Sequence, residues 1–195
     1  MARRRNVEAP AKRLVFPNPL LVVVSGPSGV GKSTIVAQLA RNRPQVVPIV
    51  TATTRARRTG EEDKVHYHFL SEAEFDRLRV TDGLLEHANV HGQWYGTPID
   101  QVRGILAAGR DAILTIDPQG ARSVRALVPD ALLIFVMPPS IEDLDLRLAT
   151  RGSEDERSLA VRRRNAEAEM ASSADYDYVI VNETLVRRSG RRSKD

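Results

Sequence analysis

Residues 26–33, Gly-Pro-Ser-Gly-Val-Gly-Lys-Ser, have the glycine, lysine and hydroxyl spacing of a phosphate-binding loop. An apolar run at 20–24 precedes them and a helical pattern of apolar residues follows, so the sequence predicts a strand, a glycine-rich turn and a helix. In such a turn the backbone N–H groups and the positive end of the helix dipole face one point. This chemistry suits nucleotide phosphates. The alternative is a glycine turn that joins the strand to the helix without a ligand.

The whole loop is predicted to hold the phosphates of ATP. Lys32 supplies a point charge for the β and γ phosphates, and the Ser33 hydroxyl is placed to bind the Mg²⁺ that bridges them. The predicted ATP-binding residues in this segment are Gly26, Pro27, Ser28, Gly29, Val30, Gly31, Lys32, Ser33 and Thr34.

Residues 51–98 carry a second group of motifs. They read Thr-Ala-Thr-Thr-Arg-Ala-Arg-Arg-Thr-Gly-Glu at 51–61, Val-His-Tyr-His-Phe at 65–69, Leu-Glu-His-Ala at 85–88 and Trp-Tyr-Gly-Thr-Pro at 94–98. With the loop before them and the arginines 147, 151 and 162 behind them, they resemble the guanylate kinases in order and spacing. The resemblance covers residues 19–182 and implies catalysis of ATP + GMP → ADP + GDP. It also implies that Mg²⁺ binds together with ATP and that dGMP is a further acceptor.

Two arginines three residues apart suit the phosphate of the acceptor nucleotide. The guanidinium groups of Arg55 and Arg58 are permanently charged forks, and the hydroxyls of Tyr67 and Tyr95 can add neutral donors. The resemblance implies the same four positions.

A carboxylate is the expected reader of the base. An ionised carboxylate only accepts hydrogen bonds, so Glu86 favours the two adjacent donors of guanine over the acceptor nitrogen of adenine. Discrimination of ~10⁴ or more is within reach of such a site. The resemblance completes the GMP-binding set with Thr51, Gly96, Thr97 and Asp117; Asp117 is expected close to the guanine or, through water, to the metal.

Phosphoryl transfer needs alignment and charge neutralisation more than covalent help. The predicted catalytic residues are therefore Lys32 for the donor, Arg55 for the acceptor, and Arg147, Arg151 and Arg162 as clamps that arrive when a lid closes and excludes water. The resemblance also places Asn182 in the ATP site.

Apolar runs at 20–25, 111–117, 131–137 and 176–182 are predicted to be buried strands separated by helices, which is typical of a parallel sheet covered on both faces. The expected fold is α/β, a three-layer P-loop kinase core with a small mixed GMP-binding lobe and a helical lid. Helix starts are predicted at Ser71, Thr97 and Ser140. The predicted divisions are a disordered basic arm at 1–18, the domain at 19–182 (core 19–47, 98–150 and 171–182; lobe 48–97; lid 151–170) and a basic tail at 183–195.

The charge of the chain is concentrated at its ends. The net charge is +4, while residues 1–18 carry +4 and residues 183–195 carry +3, which leaves −3 for the segment between them. Nucleic-acid binding is therefore not expected, and the ends are interpreted as solvated tails. The chain has 195 residues and no cysteine, and it has no apolar run of membrane-spanning length. We expect a soluble, cytoplasmic monomer or weak homo-oligomer.

Several departures and alternatives remain at this stage. Arg57 stands where the family usually has proline, and residues 183–195 lack the apolar spacing of the family's usual last helix. A non-catalytic guanylate-kinase-like module, a kinase for ribose bisphosphates, and nucleic-acid binding through the tails are the competing interpretations. The loop lysine and the arginines argue against the first, and Glu86 with Thr97 argues against the second.

Overall fold

The computed structural model describes residues 19–90, 92–149 and 168–183 of the chain. The strands are β1 (Leu21–Ser25), β2 (Val46–Pro48), β3 (Ala52–Thr53), β4 (His68–Phe69), β5 (Leu84–Val90), β6 (Gln93–Pro98), β7 (Asp111–Thr115), β8 (Leu132–Met137) and β9 (Tyr178–Val181). The helices are α1 (Lys32–Asn42), α2 (Glu72–Val80), α3 (Ile99–Ala107), α4 (Pro118–Leu127) and α5 (Ile141–Ala149), and a short 3-10 helix covers Ser172–Asp175.

The core is a five-stranded parallel sheet in the order β2, β7, β1, β8, β9. Alternate side chains of β1 point to opposite faces of this sheet. Leu21 and Val23 join a cluster that includes Val102 of α3 and Val124 of α4, whereas Val24 joins a second cluster with residues of α1 and α5. Helices therefore cover both faces, and the expected three-layer α/β core is confirmed.

The last strand differs from its prediction. Residues 176–182 were predicted to be a buried strand, but all four residues of β9 are exposed, from 41% at Ile180 to 60% at Tyr178. The reason is position, because β9 is an edge strand that pairs only with β8 among the described strands. An edge strand has a neighbour on one side only, so an apolar sequence alone does not ensure its burial.

A separate mixed sheet, in the order β4, β3, β6, β5, is built from the chain between β2 and α3. Strands β5 and β6 pair antiparallel, as do β3 and β6, while β3 and β4 are parallel. Phe75 of α2 is buried and stacks on Trp94 of β6, with ring centroids 6.0 Å apart. This sheet and α2 form a lobe, and it carries most of the residues predicted to bind the acceptor.

Two of the three predicted helix starts are confirmed. Ser71 forms a capping box with Glu74, and the Ser140 hydroxyl accepts a hydrogen bond from the Asp143 N–H. Thr97 is wrong as a cap, because α3 begins at Ile99 with Pro98 at its N-cap and no side-chain hydrogen bond there. The Thr97 hydroxyl binds Glu86 instead. None of the helices in the described ranges has the length and apolar character needed to span a bilayer.

Candidate active site

The loop after β1 owes its shape to glycines. Gly26, Gly29 and Gly31 have φ angles of 136°, 83° and 99°, in the left-handed range that other residues rarely adopt. A Cβ on Gly26 would collide with the main-chain carbonyl of Val136, so the backbone itself runs against β8 at this point. The glycine spacing seen in the sequence therefore reflects both torsion angles and close backbone approach.

The helix end that follows the loop is available to an anion. Helix α1 begins at Lys32, has no acidic residue in its first turn and has no side-chain cap, so its first N–H groups keep their positive field. Ser33 and Thr34 are exposed and line an open cavity of about 390 Å³ on the outer side of the helix. These features suit the phosphate groups of a nucleotide.

Lys32 and Asn182 both bind the main chain of the loop. The Lys32 ammonium donates to the carbonyl oxygens of Gly26 and Pro27 at 2.6 and 2.9 Å, which folds the side chain over the loop. The Asn182 amide donates to the Val30 carbonyl at 2.7 Å, and a Cβ on Gly31 would lie 2.6 Å from the same amide nitrogen. Asn182 therefore supports the loop from the end of β9, which is a structural contact in addition to its predicted place in the ATP site.

Arg55 lies in the lobe and is held by a carboxylate that the sequence analysis gave no role. Its two terminal nitrogens donate to the two Glu61 oxygens at 2.8 and 3.0 Å. The same carboxylate accepts the Arg58 N–H at 2.8 Å. The Arg55 guanidinium lowers the pKa of Glu61 to about 2, with the Arg58 N–H adding to the effect. The pair orders the loop between β3 and β4 around one arginine.

Aromatic rings form a wall beside Arg55. Its guanidinium carbon lies 5.2 Å from the centroid of the Tyr67 ring and 5.7 Å from that of Phe69. Tyr95 of β6 meets Tyr67 edge-on, with centroids 6.1 Å apart. Burial raises the pKa of the Tyr67 hydroxyl, and the neighbouring Tyr95 hydroxyl adds to this. Tyr67 is therefore a neutral donor at physiological pH, as its predicted contact with a phosphate requires.

Glu86 is the buried charge of the lobe. It lies on β5 opposite Thr97 of β6, is 6% exposed, and accepts the Thr97 hydroxyl hydrogen at 2.6 Å. Its second oxygen lies against Gly120 in the first turn of α4, where a Cβ would be 2.7 Å away. This contact joins the lobe to the core, and a side chain at position 120 would have to displace the Glu86 carboxylate.

Asp117 takes the N-cap position of α4 and accepts the Gly120 N–H at 2.7 Å. Burial raises the pKa of Glu86 to about 7, Thr97 opposes this shift, and the charge of Asp117 contributes to it. Asp117 and Glu86 are thus brought together at the start of α4, while the place of Asp117 beside the guanine or, through water, beside the metal stays a prediction. The cap position also gives Asp117 a structural function.

The remaining predicted residues are placed as follows. Thr51 is half-buried and its carbonyl accepts the His68 N–H at 2.8 Å, Arg58 is exposed, and Gly96 is buried. Arg151 and Arg162, and the side chain of Arg147, lie outside the described part of the structure. The expected lid at 151–170 is described only from residue 168 onward.

Glu61 and Gly120 were missed as contributors to the site. Glu61 is the last residue of the motif at 51–61, six residues after Arg55. This spacing matches no helix or strand period that would indicate a contact. Gly120 has an ordinary negative backbone angle and is distant from Glu86 in sequence. A glycine one turn into a helix after a strand was the one available signal, since glycine there is otherwise unfavourable.

The described residues contain no cluster of three or more histidine, cysteine, aspartate or glutamate side chains that could hold a metal ion by themselves. Mg²⁺ that is bound with a nucleotide takes phosphate oxygens and waters as most of its ligands. Ser33, exposed in the first turn of α1, fits as the protein ligand.

The fold and site together define a P-loop protein with a separate lobe for a second ligand that carries a phosphate and a base. Comparisons with known proteins identify the family to which this P-loop protein is similar. The family model described as guanylate kinase matches residues 18–188. Relatives named guanylate kinase include those of Thermobifida fusca, 48% identical over 85% of this chain and 84% of the relative, and Symbiobacterium thermophilum, 46% identical over 88% and 81%.

A solved structure agrees. The crystal structure of guanylate kinase from Anaplasma phagocytophilum is similar with a TM-score of 0.69 and 32% identity, over 87% of this chain and 79% of that one. The chain belongs to the guanylate kinase family, nucleoside monophosphate kinases that transfer a phosphoryl group from ATP to GMP. The resemblance inferred from the motifs is thereby confirmed.

Proposed function

We propose that this chain transfers the γ-phosphoryl group of ATP to GMP, and to dGMP, through the residues described above. The observation that carries the assignment of the acceptor is the burial of the Glu86 carboxylate against Thr97 and the first turn of α4. A buried acceptor-only group is costly unless a ligand supplies donors, and guanine offers two adjacent ones.

On the donor side, the loop N–H groups and the α1 dipole bind the β and γ phosphates of ATP. Lys32 exchanges its contacts with the loop carbonyls for phosphate oxygens and stabilises the charge that develops during transfer. Ser33 would hold the Mg²⁺ that accompanies ATP, and this ion would neutralise part of the phosphate charge. Asn182 keeps the loop in shape through Val30.

On the acceptor side, Arg55 and Arg58 bind the GMP phosphate, with Tyr67 and Tyr95 as neutral donors. Arg55 is already oriented, because Glu61 holds both of its terminal nitrogens. Orientation before binding reduces the entropy lost when the phosphate is fixed in line with ATP. No general base is needed, since a phosphate monoester is largely ionised near neutral pH.

The lid arginines Arg147, Arg151 and Arg162 complete the proposal as clamps on the transferring group. Support comes from their residue type and spacing in the sequence, together with membership in the family. Closure of the lid would exclude water from the phosphoryl group. Because both nucleotides are cytoplasmic metabolites, we also propose the cytoplasm as the place of action, with the protein acting as a monomer or weak homo-oligomer.

The experiment is a coupled ADP-release assay at pH 8 with ATP, Mg²⁺ and one acceptor at a time: GMP, dGMP, AMP, UMP or a ribose bisphosphate. We expect turnover with GMP and dGMP and very little with the others. Turnover of the ribose bisphosphate in preference to GMP would contradict the proposal.

The role of Arg55 has a matched control in the same assay. Arg55→Lys keeps the charge but loses the planar fork, so we expect KM for GMP to rise by roughly 30-fold or more while KM for ATP stays unchanged. Arg103→Lys, in an exposed arginine on α3 that lies 3.6 Å from Asp100, should leave both constants unchanged.

A further inference from the structure

Glu86 is enclosed by groups that do not neutralise its charge. The elements packed against it contribute the Thr97 hydroxyl from β6 and the Asp117 carboxylate from the start of α4. Within the described ranges, no cation acts on this carboxyl group. Gly120 lies against its second oxygen and contributes no side chain.

Two carboxylates near one another repel, so a proton on one of them stabilises the pair. Asp117 accepts the Gly120 N–H at the N-cap of α4. Glu86 is the more buried of the two, and burial raises its pKa to about 7. The proton therefore belongs on Glu86, which exists in two forms in the physiological pH range.

The two forms of Glu86 read different bases. The ionised form offers acceptors only and pairs with the ring N1–H and exocyclic amino group of guanine. The protonated form offers an O–H donor as well, which is a partner for the acceptor nitrogen N1 of adenine. It also loses one of the acceptors that guanine uses, so protonation weakens one complex and permits the other.

We propose that the base preference of this site is set by one proton on Glu86, so that AMP becomes an acceptor as that proton is taken up. The inference rests on the proposed function, because it assumes that Glu86 faces the base of the acceptor nucleotide. It adds a second acceptor and a condition under which that acceptor is used.

The ratio of kcat/KM for AMP to kcat/KM for GMP isolates the effect of the proton on Glu86. If GMP needs ionised Glu86 and AMP needs protonated Glu86, the ratio of kcat/KM for AMP to that for GMP changes by about tenfold per pH unit. GMP and AMP have the same phosphate group, so its ionisation cancels in the ratio. Titration of the catalytic residues common to both reactions cancels as well.

The experiment measures kcat/KM for GMP and for AMP between pH 5.5 and 8.5 on the full chain with ATP and Mg²⁺. We expect the logarithm of the AMP-to-GMP ratio to fall by about one per pH unit. Glu86→Gln presents a donor and an acceptor at every pH, so its ratio should be raised and should not depend on pH. Glu72→Gln, in an exposed residue of α2, is the matched control and should keep the slope of the unmodified protein.

Two results with the unmodified protein would overturn the inference: a ratio that stays constant with pH, or an absence of AMP turnover at pH 5.5. Normal GMP turnover in the same experiment would leave the proposed function standing. A pH-dependent ratio that persists in Glu86→Gln also overturns it, because the proton then lies elsewhere. Absence of GMP turnover at every pH would instead reject the proposed function. The measurement on the unmodified protein remains decisive if the Glu86→Gln variant does not fold.

Discussion

The donor loop and the acceptor lobe both suit nucleotide phosphates, but they are built from different parts of the chain. The loop is shaped mainly by its backbone: Gly26, Gly29 and Gly31 have positive φ angles, and Lys32 lies folded on loop carbonyls. In the lobe the groups are side chains, and Arg55 is held in place by Glu61. A backbone site depends on torsion angles and close approach, whereas a side-chain site depends on partners that orient the charged groups.

The largest effect that tests this difference should come from the one cationic side chain in residues 26–33. Lys32→Met keeps the aliphatic stem but removes the charge near the transferring group, so we expect kcat to fall by about 10³-fold. Binding of GMP alone, measured by calorimetry, should be unchanged because the acceptor lobe is untouched.

The control for charge is Lys64→Met, in an exposed lysine of the lobe, which should retain normal kcat. A Lys32→Met variant with kcat within a few-fold of the unmodified protein would mean that the main chain of the loop suffices for the donor. The donor loop would then differ from the acceptor lobe even more, because it would need no charged side chain.

The second effect concerns stability. Gly26→Ala places a Cβ at a φ of 136° and against the Val136 carbonyl, a main-chain atom of β8 that cannot move away. We expect the free energy of unfolding, measured in urea, to fall by about 3 kcal/mol or more from strain and collision together.

Gly60→Ala separates the two causes. Gly60 also has a positive φ, 83°, but a Cβ there would meet no atom within 4 Å. This variant should lose only about 1 kcal/mol, from strain alone. Equal losses at the two positions would show that backbone approach to β8 does not shape the loop.

These contrasts explain which parts of the molecule the sequence could predict. The loop was predictable because its glycines, lysine and serine lie within eight consecutive residues, 26–33, at a recognisable spacing. The strands with long apolar runs were also predicted, as with residues 131–137 for β8 at Leu132–Met137. Family membership followed from the order of five motifs and is confirmed.

Contacts that are set by tertiary structure were not predictable in the same way. The pairing of Arg55 with Glu61 and the contact of Glu86 with Gly120 arise from loop geometry and from packing of the lobe on the core. Neither contact has a sequence period. Exposure of β9 was missed because an apolar run does not indicate which strand is at the edge of the sheet.

The third prediction concerns the loss of folding stability caused by burying the Glu86 carboxylate. Glu86 has a pKa raised from 4.5 to about 7 by burial, so the folded state binds its proton more tightly than the unfolded state. The stability associated with that proton is present below about pH 4.5 and is lost as the pH rises through 7. Glu86→Gln removes the ionisation, and the variant should be more stable than the unmodified protein by about 3 kcal/mol at pH 8.

At pH 4.5 the difference should be small, because both side chains are then neutral and similar in shape. Urea unfolding at the two pH values gives the comparison, with Glu72→Gln expected to change nothing at either. Lower stability of Glu86→Gln at pH 8 would mean that the carboxylate gains more from its neighbours than burial costs it, so the lobe would be held together by the group that reads the base.

The smallest effect tests whether the acceptor site depends on orientation. Glu61→Gln keeps the size of the side chain but removes the charge that holds both terminal nitrogens of Arg55, so the arginine loses its fixed direction. We expect KM for GMP to rise by about tenfold with kcat little changed, because ordering of Arg55 then has to accompany binding. Asp76→Asn, which removes a surface ion pair with Arg79, is the matched control and should leave KM unchanged.

A lower KM in Glu61→Gln would show that the carboxylate competes with the incoming phosphate for Arg55. The lobe would then resemble the loop, where Lys32 is also bound to protein atoms that a phosphate must displace.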